Sequence, residues 1–339
     1  LAALAAVLVL SVLVRGGVPR GRAIALALLS VLGTAVFFRA GTLNNNLIVL
    51  AATFGAFVLM LAANRRLGWV GFLAASATAF DYSGAVVLAC FAGWVALEMR
   101  NLRAFLAFAL GAIPPLAFLL WTQWVQFGHP FLPAQHWMPA AHFTELGWRG
   151  FSAPRLDLLV ANLVDPDFGL FAYSPILVFA LIPAAGGILP KPARRFAVVL
   201  SVLFLLFCAS NQYTRMQWNS GFRHLLPIVP LVFLLACETL ARLPRTAFAI
   251  VAGIAVLHEW VLSMVRYHPQ PKDLGDFSSS AIVESWRRFL EGGVQLPWLS
   301  VLRRTAPDGS IVQAWYWPPV VLLACGLLVL VIWRRPRPA

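Results

Sequence analysis

The stretch Ala104-Phe105-Leu106-Ala107-Phe108-Ala109-Leu110-Gly111-Ala112-Ile113-Pro114-Pro115-Leu116-Ala117-Phe118-Leu119-Leu120-Trp121-Thr122-Gln123-Trp124-Val125 carries no charge over 22 residues. About 20 such residues span a bilayer core of about 30 Å. The rest of the chain has the same character. Of 339 residues, 60% are hydrophobic and 12% charged, and mean hydropathy is +0.80. A water-soluble domain carries about 25% charged residues, so this chain lacks the polar groups to cover a compact surface. Long apolar runs, and not alternating ten-residue segments, point to an all-α polytopic transmembrane helix bundle. The composition excludes a soluble enzyme, a disordered tail and a secreted disulfide scaffold. Eleven crossings are predicted, over 1–14, 23–38, 47–63, 67–80, 84–98, 104–125, 169–187, 196–209, 224–241, 246–264 and 317–333. The fourth and fifth are short enough to be a tight pair that crosses only in part. No internal repeat or linker is visible, so residues 1–339 read as a single membrane domain.

Net charge is +13, from 26 Lys and Arg against 13 Asp and Glu. The basic residues cluster in short connections, which is the pattern that orients membrane proteins and not one that binds nucleic acid. Arg15, Arg20 and Arg22; Arg65 and Arg66; Arg100 and Arg103; Lys191, Arg194 and Arg195; Arg242 and Arg245; and Arg334, Arg335 and Arg337 fall on alternate connections. These 15 define a cytoplasmic side; of the other 11, eight lie in the two long loops 126–168 and 265–316, which then face outward. Cys90, Cys208, Cys237 and Cys325 all sit in apolar runs and read as small core residues. The chain opens Leu1-Ala2-Ala3-Leu4, already apolar and without a charged leader, and the expectation is that further sequence precedes it.

The polar chemistry collects on the outer side. Loop 126–168 holds His129-Pro130-Phe131-Leu132-Pro133-Ala134-Gln135-His136-Trp137, a stiff, poorly helical, aromatic stretch expected to lie on the bundle mouth. Taken singly, its tryptophans fit an interfacial belt. Residues 280–292 place Ile282, Val283, Trp286, Phe289 and Leu290 opposite Glu284, Arg287, Arg288 and Glu291, which predicts an amphipathic helix, at the membrane surface or packed on the bundle. Arg223 and His224 stand at the outer start of an apolar helix, with Arg215 one short loop earlier. A guanidinium fork and helix-start N–H groups suit a phosphate, while an Arg that snorkels or anchors a loop is the plainer alternative. Asp81, between two apolar runs, is either a functional carboxylate or the N-cap of the run beginning at Gly84. His258-Glu259 lies within a crossing as a candidate buried pair. His129, His136 and His142 match no compact metal-ligand spacing, so no metal site is assigned. No phosphate-binding loop, nucleophile elbow or dinucleotide motif is present.

Two stretches carry a resemblance. Asn162-Leu163-Val164-Asp165-Pro166-Asp167-Phe168-Gly169-Leu170-Phe171-Ala172-Tyr173-Ser174-Pro175 is followed later by Trp218-Asn219-Ser220-Gly221-Phe222-Arg223-His224-Leu225-Leu226-Pro227. Together they resemble bacterial multi-pass glycosyltransferases of the GT-C superfamily, in the branch related to dolichyl-phosphate-mannose and lipid-A-modifying transferases. Thr42-Leu43-Asn44-Asn45-Asn46, Phe80-Asp81-Tyr82-Ser83-Gly84 and Gly128-His129-Pro130-Phe131-Leu132-Pro133-Ala134-Gln135 add to the likeness. Asn44-Asn45-Asn46 departs from the Asn-Asn-His of many relatives, and Phe222 stands where Pro is usual.

The resemblance implies sugar transfer from a polyprenyl-phosphate-linked donor to a glycan, lipid or protein acceptor, at the extracytoplasmic face of the bacterial inner membrane. A carboxylate deprotonates the acceptor while cations stabilise the leaving lipid phosphate. Arg223, with His224 and Arg215, is assigned to the phosphate. Asp81, Asn45 and Asn46 are assigned to the sugar or acceptor pocket, and Tyr82, His129, Gln135 and Trp218 complete the candidate substrate-binding set. Asp165 and Asp167 are expected to be structural turn residues. The family's catalytic acid belongs to the first outer loop, which is expected upstream of residue 1; Asp81 is the best carboxylate within the chain. No cofactor is assigned, and a divalent metal stays open. A transporter or flippase of a lipid-linked or polar substrate is the competing class, and an inactive membrane scaffold is the third.

Overall fold

The structure is a computed structural model that describes residues 1–41, 44–62, 66–137, 147–182, 187–212, 222–264 and 281–292. The expected crossing 317–333 and Arg215, Trp218, His142 and Cys325 lie outside these. Thirteen α-helices are described: α1 Ala2–Arg15, α2 Arg20–Leu32, α3 Val36–Ala40, α4 Asn45–Leu61, α5 Leu67–Phe80, α6 Gly84–Trp94, α7 Leu102–Phe127, α8 Leu156–Val164, α9 Leu170–Tyr173, α10 Lys191–Ala209, α11 Val229–Leu240, α12 Arg245–Met264 and α13 Ala281–Gly292. There is no β-strand among the described residues, only isolated bridges that pair Phe151 with Trp148 and with Asn211. Three helices, Leu102–Phe127, Lys191–Ala209 and Arg245–Ser263, are long and apolar enough to cross a membrane. They mark the chain as a membrane protein. On α7, Leu110, Ile113, Phe118, Trp121, Trp124 and Val125 are exposed, a surface that suits lipid and not water.

Packing follows from small residues and rings. A Cβ at Gly71 would fall 2.0 Å from the Phe108 carbonyl oxygen, and one at Gly111 would fall 1.9 Å from that of Gly68. The backbones of α5 and α7 therefore touch, as helices in lipid do where glycines meet. Deeper in the bundle Phe196 of α10 gathers Phe91 at 4.7 Å, Phe57 at 6.1 Å and Trp94 at 6.3 Å, measured between ring centroids.

Three expectations need correction. The run 23–38 is not one helix: it breaks between α2 and α3, over Gly33-Thr34-Ala35. Thr34 Oγ1 donates back to the Ser30 carbonyl at 2.6 Å, and the Ala35 N–H leaves the helix to reach the Ser174 Oγ at 2.8 Å. The run 169–187 also breaks. α9 ends at Tyr173, Ser174 leaves the helical region, and Pro175 starts a 3-10 helix over Pro175–Leu181. Proline lacks an N–H and keeps the residue before it out of the α region. Finally, loop 126–168 contains a regular element, α8, which begins two residues after Pro154 and buries Leu158.

The amphipathic helix expected over 280–292 is present as α13. Asp165 Oδ1 accepts from the Asp167 N–H at 2.7 Å, the structural turn expected there. Asp167 Oδ1 then accepts the Ala281 N–H at 2.7 Å and so caps α13 from a distant part of the chain.

The two ends of the bundle are wired differently. At one end Arg22 donates to the carbonyls of Ala241 and Leu243 just past α11, which satisfies acceptors a helix terminus leaves open. Beside it Arg194 pairs with the buried Glu238 at 2.5 Å, and Arg195 lies 3.7 Å from Glu98. Because α10 and α11 run in opposite directions, the end of α10 and the start of α11 lie at the other end, with the starts of α4 and α6.

Candidate functional site

That other end gathers the residues singled out from the sequence. Asp81 closes the turn between α5 and α6: its Oδ1 accepts the Ser83 N–H at 2.9 Å, and its backbone carbonyl accepts the Gly84 N–H at 2.8 Å. The expected capping role is corrected: the N-cap of α6 is Ser83, and Asp81 instead ends α5 and closes the turn ahead of α6 through the Ser83 N–H. The turn does not exhaust the residue, because Oδ2 accepts from Asn45 Nδ2 at 3.0 Å, and Asn45 also donates to the Phe80 carbonyl at 3.3 Å. Asn44 caps α4 through its side chain, taking the Asn46 N–H at 2.9 Å. Asn46 is buried, donates to Asn44 Oδ1 and Asn45 Oδ1, and its own Oδ1 finds no hydrogen-bond partner among the described residues. The triple asparagine is a network with one acceptor left over.

Arg223 and His224 enter this end from the turn ahead of α11 and not, as expected, at its start: the 3-10 turn Leu226–Ile228 separates them from Val229. Arg223 Nε donates to His224 Nε2 at 3.3 Å. His224 lies within electrostatic reach of Arg223, of Asp81 and of a residue that the sequence reading passed over, Arg39. Arg39 is 3% exposed, on α3, with its guanidinium 4.9 Å over the Phe38 ring. It feels the charge of Arg223 and the phenol of Tyr173, which is fully buried and packs Phe38 at 5.9 Å and Phe222 at 6.5 Å. Two guanidiniums, an imidazole and the Asp81 carboxylate therefore share one electrostatic environment. A cluster in which cations outnumber the carboxylate, walled by aromatic rings, favours an anion.

A signal for Arg39 did exist. Outside the long loops, the basic residues on the outer connections are Arg39, Arg215 and Arg223. Arg39 was hidden because it follows an apolar run that looked like one continuous crossing.

The remaining candidates divide. Tyr82 is a brace: its hydroxyl accepts from the buried Gln123 of α7 at 3.0 Å and from the Ala134 N–H at 3.2 Å, and so pins the aromatic loop to the mouth. Gln135 lies in the 3-10 turn Ala134–Trp137 that this brace holds. His129 is turned to its own loop: its Nδ1 takes the Phe131 N–H at 3.2 Å, and its ring meets that of Phe131 edge-on. The structure does not bring it into the cluster. His258 and Glu259 do not pair with each other. His258 Nδ1 accepts from Trp286 Nε1 at 3.1 Å, which leaves its Nε2 as the donor to the Ala172 carbonyl at 3.0 Å. Among the described residues no group of three or more His, Cys, Asp or Glu side chains is placed to hold a metal ion. Set against models of known protein families, curated proteins and solved structures, the chain matches none.

Proposed function

We propose that this protein is a membrane glycosyltransferase of GT-C type, moving a sugar from a polyprenyl-phosphate donor to a glycan, lipid or protein acceptor at the extracytoplasmic face of the bacterial inner membrane. The observation that carries the reading is the convergence of Arg39, Arg223 and His224 with Asp81 and Asn45 at one end of an apolar bundle. In a site shielded by Tyr173 and Phe222, cationic groups hold an anionic headgroup far more strongly than they would in water. The guanidiniums neutralise the lipid phosphate as the sugar leaves it. Asp81, with His224, takes the proton of the acceptor hydroxyl as its oxygen bonds the anomeric carbon. Lipid reaches such a mouth along the exposed apolar helices. The short basic connections at the opposite end put that end in the cytoplasm.

The test is transfer of labelled sugar from a polyprenyl-phosphate donor by membranes carrying the protein expressed from its complete reading frame. Arg223→Ala is expected to abolish transfer while the protein stays folded. Transfer that survives in the variant contradicts the proposal.

A second reading, movement of a lipid-linked substrate across the bilayer, is favoured by one feature. The chain breaks after α2 and after α9 meet beside the buried Glu259, and broken helices next to buried carboxyls are typical of transporters. Flux of the lipid across proteoliposomes that is indifferent to Arg223→Ala would select it.

A further inference from the structure

Glu259 is fully buried on α12, and the side chain it bonds among the described residues is a hydroxyl, that of Ser174, and not a cation. Its Oε1 accepts from Ser174 Oγ at 3.3 Å, and its Oε2 has no hydrogen-bond partner among the described residues. A serine hydroxyl has one proton to give. With that proton committed to Glu259, the lone pairs of the same oxygen face the Ala35 N–H, which they accept at 2.8 Å. Ala35 is the residue before α3, and its carbonyl accepts the backbone N–H of Arg39 at 3.1 Å. The links run without a gap from a carboxyl on α12, through the kink after α9, to the start of α3 and the residue that bears the buried guanidinium.

α3 has five residues and cannot hold its own geometry. Its rings lean on the same supports: Phe37 on Trp260 at 6.0 Å and Phe38 on Tyr173 at 5.9 Å. Trp260 follows Glu259, and Tyr173 precedes Ser174. An apolar residue at 259 would leave the hydroxyl proton unclaimed, free to turn toward other acceptors and away from the arrangement that receives Ala35. His258 next door has a different task, tying Trp286 of α13 to the Ala172 carbonyl.

We infer that Glu259 is a positioning residue: acting through Ser174, it fixes the break between α2 and α3 and thereby sets Arg39 beside Arg223 and His224. Its consequence for donor binding rests on the glycosyltransferase reading; its consequence for α3 does not. Hydrogen exchange of the protein in lipid nanodiscs, combined with transfer rates at varied donor concentration, tests both. Glu259→Ala and Ser174→Ala should speed exchange of the α3 amides by roughly ten-fold or more, the scale of one buried hydrogen bond. The α5 amides should not change, and Glu259→Gln, which keeps an acceptor oxygen, should stay near wild type. In transfer, Glu259→Ala should raise the donor KM roughly ten-fold with a smaller change in kcat, and should add nothing in an Arg39→Ala background. Wild-type exchange of α3 in both alanine variants, or effects of Glu259→Ala and Arg39→Ala that multiply, overturns the inference. Loosened α3 amides in a protein that transfers no sugar would uphold the positioning role and remove the enzyme reading. Should Glu259→Ala fail to fold, Ser174→Ala, which deletes a single hydroxyl, carries the same test.

Discussion

The two ends of this bundle use the same residue types for different work. At the end holding Arg22, Arg194 and Arg195, each arginine meets an acceptor in the described structure: carbonyls past α11, the buried Glu238, and Glu98. At the end holding Arg39, Arg223 and His224, two guanidiniums lie within each other's field, with the His224 imidazole and the Asp81 carboxylate beside them. The first arrangement closes helix ends and orients the chain. The second concentrates charge in a low-dielectric place, where it raises the cost of an empty site and the gain from an anion. Arginine at a membrane surface is thus informative only together with what surrounds it.

Breaking the second end should have the largest effect. Arg223→Ala and Arg39→Ala are each expected to lower transfer by roughly 100-fold or more, read in the labelled-sugar assay, because each removes a cation held where charge develops. Arg195→Ala, on an exposed pair, should leave transfer unchanged and shift stability by no more than about 0.5 kcal/mol. The first end should break through stability instead. Arg194→Ala leaves Glu238 buried without its partner and should cost about 1–3 kcal/mol in denaturation of the detergent-solubilised protein, with transfer per folded molecule preserved.

The contrast is sharpened at Asp81, which has both kinds of role. Asp81→Ala should cost about 1 kcal/mol from the lost turn hydrogen bond to the Ser83 N–H and should lower transfer by roughly 100-fold or more as the loss of a general base, whereas Asn101→Ala, which removes the cap of α7, should cost stability alone. The mildest prediction concerns α13. Hydrogen bonds from Arg287 and then Arg288 hold the Glu284 carboxyl down to about 2. A depressed carboxyl stabilises above its unfolded value of about 4.3, and that contribution fades as pH falls toward 2. The protection of the α13 amides, taken relative to the intrinsic exchange rate at each pH, should therefore hold from pH 7 to 5 and fall below 4, more so at low salt.

Much of the helical framework was legible in the sequence because lipid imposes long apolar runs. The boundaries of α5 at 67 and 80 and the start of α6 at 84 fall where the apolar pattern and the Asp81 turn put them. The runs 23–38 and 169–187 misled for a common reason: hydropathy cannot see a break that a distant side chain satisfies. Ser174 completes the break at Ala35 from 139 residues away. The helix α8 was missed since the prolines earlier in its loop masked a short regular segment after Pro154. At the site, Arg223, His224, Asp81 and Asn45 were legible as polar groups at one end of apolar runs. Arg39 was not, because its role depends on the break that places α3 against Tyr173. His129 misled through sequence proximity to an aromatic loop whose contacts turn out to be internal.

Saturable binding of a polyprenyl phosphate to the protein in nanodiscs measures the central claim most directly. Wild type and Arg195→Ala should bind alike, and Arg223→Ala should bind at least about ten-fold more weakly, as expected when a charge-assisted phosphate contact is lost. Equal binding by wild type and Arg223→Ala, or equal losses in Arg223→Ala and Arg195→Ala, would contradict the account.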